Sequence, residues 1–378
     1  MPIYKMNGKK DGKQQYRVRI NYIDSNGKSK QIDRVAYGSA EAKDLERELS
    51  QEYKNPTNST RLTVQQLYDE YMANVKHDIR ATSYSTKQKI LEGKVLPYVG
   101  TIRLEKLTKQ KVQDWKNEIN KLDISVQTKR NAFREFRAMI NYAIKMDYLA
   151  KNPLTAVGNF TDAYLERIDQ KLQYYTPEQF ILYISEAKKN AELSGSLTDW
   201  GYYVFFNIAF YTGMRKGEIN ALKWSDIDSE ILHVRRSISQ KVSGGDIETP
   251  PKNKSSYRDL QMPLPLIKIL NEHKERQKRE KRFTDDFRVC GGVQCLRDTS
   301  ISNKNIQFAQ SAGLPVIRIH DFRHTHASLL VNEGINIQEI ARRLGHAQIE
   351  MTWNTYSHLY PREEERAVLI LNKICEDN

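Results

Sequence analysis

Two stretches without the periodicity of a helix or a strand divide this chain of 378 residues into three pieces. Residues 55–60 read Asn-Pro-Thr-Asn-Ser-Thr, which is typical of a linker, and residues 159–173 have the character of a hinge. Because a domain usually takes about 100–200 residues, a chain of this length is expected to form two or three domains. We therefore predict domains over residues 1–55, 60–158 and 174–378.

The first piece shows the alternation of a half-buried strand. Apolar Val18 and Ile20 alternate with Arg17 and Arg19, and a second strand over 30–37 and a helix follow. This piece carries 12 Lys and Arg against 8 Asp and Glu. Arg17 and Arg19 are candidates for contacts with DNA, and a merely solvated strand face is the open alternative.

The second piece is predicted to be an all-helical bundle. Its apolar residues recur at three- and four-residue spacing, as in Phe133, Phe136 and Ile140. It holds 18 Lys and Arg against 10 Asp and Glu, more than half of the net positive charge of the chain. Solvated helix faces would explain these charges as well. The candidates for DNA contacts in this piece are Lys87, Lys89, Lys129, Arg130 and Arg134.

The third piece is predicted to be mainly helical, with a few strands. Thr176 can cap one helix, an apolar helix follows over 199–212, and strands are expected over 231–238 and 258–262. The predicted fold class is therefore multidomain and mainly α. A small β-sheet-plus-helix domain comes first, then a helical domain, then a mixed, mainly α domain.

The overall charge and the cysteines limit the classes of function. A net charge of +13 and a pI near 9.3 favour a polyanionic partner, nucleic acid first, because neutralised phosphates release counterions. Cys290 and Cys295 have no second pair at zinc-finger spacing, so neutral buried thiols are preferred over a metal site. The N-terminus lacks the apolar core of a secretory signal, which predicts an intracellular, soluble protein.

Six residues of the third piece form a set suited to a phosphodiester. Two guanidiniums can bind its non-bridging oxygens, a lysine can protonate a leaving alkoxide, histidines can donate or accept protons, and a tyrosine can attack phosphorus. Neither a cluster of acidic residues for two metals nor a glycine-rich phosphate loop is present in the sequence, so we expect no metal and no cofactor. The six residues are Arg215, Lys252, His320, Arg323, His346 and Tyr356.

Two other interpretations concern the neighbours of this set. His320 and His324 lie four residues apart and could bind a metal on a helix, but the glutamate of such a motif is missing. We therefore expect His324 to be a structural residue. Glu218, one turn after Arg215, could hold that guanidinium in orientation.

The order of these residues closely resembles the tyrosine recombinase, or phage integrase, family. The matching segments are Thr-Gly-Met-Arg215, a loop with Lys252, His320-Asp-Phe-Arg323, Leu-Gly-His346, and Tyr356 ten residues later. Lys254 lies in the same loop, but Lys252 matches the family position better. The first piece resembles, more loosely, the arm-binding domain of integrases from Gram-positive phages and conjugative transposons.

The resemblance implies a mechanism and partners. Tyr356 would attack the scissile phosphate to form a 3′-phosphotyrosyl link. Lys252 would protonate the leaving 5′-oxygen, and His320 would act as the acid–base partner of the tyrosine. Strand exchange through a Holliday junction would require four protomers, double-stranded DNA with core and arm sites, and directionality or DNA-bending factors. The middle domain would bind core DNA. The tail over residues 362–373 would dock on a neighbouring protomer, and packing on its own protomer is the open alternative. Two alternatives stay open: a type IB topoisomerase, and a non-catalytic DNA-binding regulator on an integrase skeleton.

Overall fold

A computed structural model describes most of the chain as two units, Met1–Glu166 and Arg167–Asn378. The division lies inside the predicted hinge over 159–173. No helix among the described residues is long and apolar enough to cross a bilayer. The residues described are 3–10, 12–23, 29–50, 62–161, 172–240, 245–251, 254–360 and 368.

The N-terminal part of the first unit is a three-stranded antiparallel sheet with one helix. The strands β1 (Ile3–Lys10), β2 (Lys13–Ile23) and β3 (Ser29–Tyr37) pair in that order, and α1 (Ser39–Leu49) packs on the sheet. Val18 and Ile20 are buried, so the apolar face of the predicted alternation is the core face. The sequence pattern does not predict the polar strand β1, because its residues include lysines and a glycine in place of alternating apolar side chains.

Helices form most of the first unit over residues 62–161. Side chains of Thr63, Thr108 and Ser125 cap three of them by accepting backbone N–H bonds, as short hydroxyl side chains do at helix starts. Their apolar faces meet around Trp115, which packs edge-on against Phe136. The helices are α2 (Val64–Val75), α3 (Ala81–Lys94), α4 (Leu96–Val99), α5 (Lys109–Lys121), α6 (Val126–Lys145) and α7 (Pro153–Val157).

The second unit is built around one buried helix. That helix, α9 (Leu197–Thr212), is apolar on all sides, and its neighbours cover it, as expected for a helix without a polar face. The helices of the unit are α8 (Pro177–Ser194), α9 (Leu197–Thr212), α10 (Lys216–Ala221), α11 (Leu264–Gln277), α12 (Asp298–Ser311), α13 (Asp321–Asn332), α14 (Ile337–Leu344) and α15 (Ile349–Tyr356).

Two small antiparallel sheets complete the second unit. One has the order β4 (Ile227–Asp228), β5 (Ile231–Val234) and β8 (Arg258–Gln261), and the other pairs β6 (Ser237–Ser239) with β7 (Ile247–Thr249). The prediction of a single strand over 231–238 is wrong, because the chain leaves one sheet after β5 and enters the other at β6. The mainly helical fold class is confirmed.

Candidate active site

Arg323 is the most deeply buried cation of the candidate site. It lies in the first turn of α13 and is 3% exposed. Its Nη1 donates to the carbonyl oxygen of Gly213 (2.9 Å), and its Nη2 donates to that of Leu344 (2.6 Å). Burial, together with the nearby charge of Arg215, lowers the pKa of the guanidinium, which still carries its charge at neutral pH. The ends of two helices, α9 and α14, thus hold this side chain.

Arg215 is held beside it by an acidic partner. Its Nη1 donates to Oε1 of Glu218 (2.9 Å), and its Nη2 donates to the carbonyl oxygen of Gly345 (3.4 Å). Leu344 and Gly345 are consecutive, so the two arginines bind adjacent carbonyls at the end of α14. The side chain of Arg215 is 37% exposed, which leaves this guanidinium open to a ligand.

A third arginine, Arg258, binds the same glutamate as Arg215. It was not identified from the sequence as a residue of the site. Its Nη2 donates to Oε2 of Glu218 (2.9 Å), and its Nε donates to the carbonyl oxygen of Arg343 (2.7 Å). Burial alone would raise the pKa of Glu218, but Arg258 and Arg215 hold it below its ordinary value. The available signal was the alternation of β8, because Arg258 occupies the inward position two residues before buried Leu260.

Gly345 permits this close approach. The residue ends α14 with φ of +66°, a conformation that favours glycine. A Cβ here would lie 3.1 Å from Nη1 of Arg258 and 3.1 Å from the carbonyl oxygen of Ser255. The glycine of the Leu-Gly-His segment therefore has a steric reason as well as a conformational one.

His346 and His320 are neutral groups beside the arginines. Nδ1 of His346 and Oγ1 of Thr352 lie 2.8 Å apart in a hydrogen bond. Burial, with Arg323 as the next cause, lowers the pKa of His346 to about 4. His320 immediately precedes α13, and burial and the neighbouring His324 lower its pKa to about 4 as well.

Tyr356 ends α15 in a mostly apolar environment. It is 1% exposed and packs with Val331, Ile340 and Leu344. Burial raises the pKa of its phenol to about 12, although Arg323 acts in the opposite direction. The hydroxyl oxygen lies 2.6 Å from Nδ1 of His324, the histidine that the sequence pattern predicts to be structural.

The structure therefore brings five of the six predicted residues into one region of the second unit. Lys252 lies outside the described residues, as does the side chain of Lys254. The tail is described only at residue 368, so its predicted docking on a neighbour also lies outside the described residues.

The candidate DNA contacts of the first unit occupy different environments. Arg19 forms an ion pair with Asp33 (2.9 Å), and Arg17 is partly exposed on the same face of β2. Lys87 pairs with Glu135 and is 14% exposed, which makes it the least available to a phosphate. Others also make contacts within the unit, namely Lys129 to the Asn120 carbonyl, Arg130 to that of Phe160, and Arg134 to the Asn131 side chain, while Lys89 is exposed.

Cys290 and Cys295 are buried and form no disulfide. Burial raises the pKa of both thiols. Within the described ranges, no three side chains of His, Cys, Asp or Glu are grouped as metal ligands.

Two family models match the chain. The model of the phage integrase family matches residues 184–363, and that of the phage integrase N-terminal SAM-like domain matches residues 63–120, together more than half of the chain. The chain belongs to the phage integrase family. It is thus a tyrosine recombinase, a DNA strand transferase that acts in site-specific recombination.

Known relatives match almost the whole chain. The ICEBs1 integrase of Bacillus subtilis is 27% identical over 94% of this chain and 95% of its own length. Among solved structures, a Tn1549 transposon integrase with a circular intermediate DNA aligns over 83% of this chain and 99% of that one, with a TM-score of 0.65 and 19% identity. A lambda integrase tetramer on a Holliday junction aligns over 95% of each chain, with a TM-score of 0.55 and 18% identity. At these identities, the structural matches support the fold.

Proposed function

We propose that this recombinase integrates and excises a mobile element through a 3′-phosphotyrosyl intermediate on Tyr356. The observation that carries the proposal is the pair of guanidiniums fixed on the adjacent carbonyls of Leu344 and Gly345, with His346 and Tyr356 in the same region. Two fixed cations match the two non-bridging oxygens of a phosphodiester and oppose the charge that develops during attack.

Each residue has a role in this proposal. Arg215 and Arg323 bind the scissile phosphate, and His346 donates a hydrogen bond to it. Tyr356 attacks phosphorus, and a neighbouring histidine accepts the phenolic proton during the attack. Lys252 protonates the leaving 5′-oxygen. Attack by the 5′-hydroxyl of a partner strand reverses the step, so the energy of the broken bond is retained and no nucleotide or metal is consumed.

The proposal extends to the assembly. Residues 1–55 would bind arm sites and residues 60–158 core sites, through the basic positions named above. Four protomers would act on two duplexes, by analogy with the lambda integrase tetramer bound to a Holliday junction. The relatives' names support a mobile element as the substrate, and accessory factors for DNA bending or direction belong to the same proposal. The enzyme would act in the bacterial cytoplasm.

A covalent trapping experiment tests the chemistry. A nicked suicide substrate lets the cut strand diffuse away, so a phosphotyrosyl adduct accumulates and survives denaturation. The wild-type protein should form the adduct with or without EDTA, and Tyr356→Phe should form none. Tyr360→Phe is the matched control, because the Tyr360 hydroxyl donates to the Ile335 carbonyl oxygen (2.7 Å), which is not a group of the candidate site. An adduct in the Tyr356→Phe protein would remove this tyrosine from its role.

A second assay distinguishes recombination from simple relaxation. The wild-type protein should join two duplexes that carry the element's ends and yield Holliday junctions. Relaxation of supercoiled DNA without exchange between duplexes would instead support a type IB topoisomerase.

A further inference from the structure

The phenol of Tyr356 is in contact with a histidine that is absent from the six-residue set. Nδ1 of His324 lies 2.6 Å from the phenolic oxygen, and the two rings pack at 5.6 Å between centroids. His324 lies one turn after His320 in α13, while Tyr356 ends α15. Two different helices therefore place an imidazole nitrogen on the atom that would attack phosphorus.

The surroundings of the phenol explain why it needs such a partner. With a pKa raised by burial to about 12, Tyr356 keeps its proton at neutral pH and must lose it as it attacks. Burial lowers the pKa of His324, so the imidazole is neutral and can accept a proton. In the described part of the chain, His324 is the hydrogen-bond partner of the phenol.

The other two histidines are placed differently. The His320 ring meets the His324 ring edge-on at 5.2 Å, and the charges of Arg323 and Arg215 act on it. Nδ1 of His346 is engaged with Thr352. His320 and His346 are therefore placed to contact the phosphate, whereas His324 contacts the hydroxyl of the nucleophile.

We propose that His324 is a catalytic residue, the base that accepts the Tyr356 proton during cleavage and returns it during rejoining. This inference rests on the proposed function of Tyr356. As the phenolic oxygen bonds to phosphorus, its proton passes to Nδ1 of His324, and the bond from phosphorus to the 5′-oxygen breaks. The leaving oxygen takes a proton from Lys252. In the reverse step, imidazolium protonates the departing phenolate, and the attacking 5′-hydroxyl gives its proton to the lysine.

The test uses a suicide substrate whose scissile 5′-oxygen is replaced by sulfur. A thiolate leaves without a proton, so the measured rate of adduct formation no longer depends on the general acid. The variants are His324→Ala, which removes the base, and His324→Asn, whose amide oxygen can still accept a hydrogen bond near the position of Nδ1 but takes no proton. His233→Asn is the matched control, because His233 pairs with Asp259 on β5 and β8.

We expect both His324 variants to form adduct about 100-fold more slowly than the wild type on the sulfur substrate, the usual contribution of a general base. Added imidazole should restore at least part of the rate in His324→Ala, because the cavity left by the ring admits a free base. The control should match the wild type, and all variants should bind the duplex and unfold as the wild type does.

Three results would overturn the inference. A wild-type rate in His324→Asn would make the residue a positioning residue, and faster cleavage in His324→Ala would make its contact a restraint on the tyrosine. If His324→Ala slowed adduct formation only on the oxygen substrate, His324 would act in protonating the leaving group and not as the base for Tyr356. Failure of the proposed function itself is distinguishable, since the wild-type protein would then form no adduct on either substrate.

Discussion

The arginines of the site and its tyrosine are held by different kinds of contact. The phosphate half, namely Arg215, Glu218, Arg258, Arg323 and His346, is fixed mainly by backbone carbonyls and one shared carboxylate. The nucleophile half, namely His324 and Tyr356, relies on apolar packing and a single side-chain hydrogen bond. The first arrangement depends on the whole fold of the second unit, and the second on the packing of α13 against α15.

The largest expected effect comes from the cation at the centre of the phosphate half. Arg323→Ala should lower the rate of adduct formation up to about 1000-fold, since loss of one charge-stabilising donor costs about 10²–10³ in rate. The readout is the suicide-substrate assay at saturating DNA. Arg342→Ala is the control, because Arg342 is a surface cation paired with Glu339, and it should cleave normally. Equal losses in both variants would show a general effect of charge.

Removing the shared carboxylate should destabilise the phosphate half as a unit. In Glu218→Gln the buried guanidinium of Arg258 loses its charged partner, and breaking such a buried pair costs about 3 kcal/mol of unfolding free energy. Glu339→Gln, at an exposed pair, should cost less than about 1 kcal/mol. Denaturant unfolding of both variants measures the difference. Similar small values would mean that the network contributes orientation without stability.

Acid should weaken the second unit before its carboxylates titrate. The folded-state pKa values of His326 (about 3) and His346 (about 4) lie below their ordinary 6.5, so the unfolded chain binds more protons between those limits. The unfolding free energy should be at its full value above pH 6.5 and fall towards pH 4, by on the order of 3 kcal/mol from buried His326 alone. His326→Asn should flatten this dependence, because asparagine does not titrate. Its amide can still donate to the Phe210 carbonyl oxygen, as Nδ1 of neutral His326 does. A flat wild-type profile would contradict the burial of these rings.

The smallest effect is expected at Gly345, which lies against Arg215 and Arg258. Gly345→Ala and Gly195→Ala both place alanine at φ of +66°, but a Cβ at Gly195 meets nothing within 4 Å. Both should lose about 1 kcal/mol from the backbone conformation, and Gly345→Ala should lose about 1 kcal/mol more through its contacts with Arg258 and the Ser255 carbonyl oxygen. Chemical denaturation resolves the two costs. Identical losses would show that the guanidinium and the loop carbonyl of Ser255 both move aside freely.

The phosphate half illustrates what a sequence can predict. Arg215, Arg323 and His346 stand out because they form short local segments with an ordered spacing, and Glu218 is a sequence neighbour of one of them. Arg258 belongs to a strand, and its partner lies 40 residues away. Its inward position in β8 marks it as a charge that faces the core, but nothing local connects it with Glu218.

The nucleophile half was predictable in its residue and not in its partner. Tyr356 follows from the spacing after Leu-Gly-His, but the choice between His320 and His324 depends on the rotation of α13 relative to α15. The sequence favours His320, since it belongs to the stronger motif. The contact of 2.6 Å with His324 emerges only from the packing of the two helices.

The carbonyls at the ends of α9 and α14 have a consequence for DNA affinity. A long arginine side chain normally loses conformational freedom when it grips a phosphate, which subtracts from the strength of binding. Here Arg323 is already immobilised by Gly213 and Leu344 before any substrate arrives. That ordering cost is met when the polypeptide folds, so the incoming backbone meets a receptor that is rigid in advance.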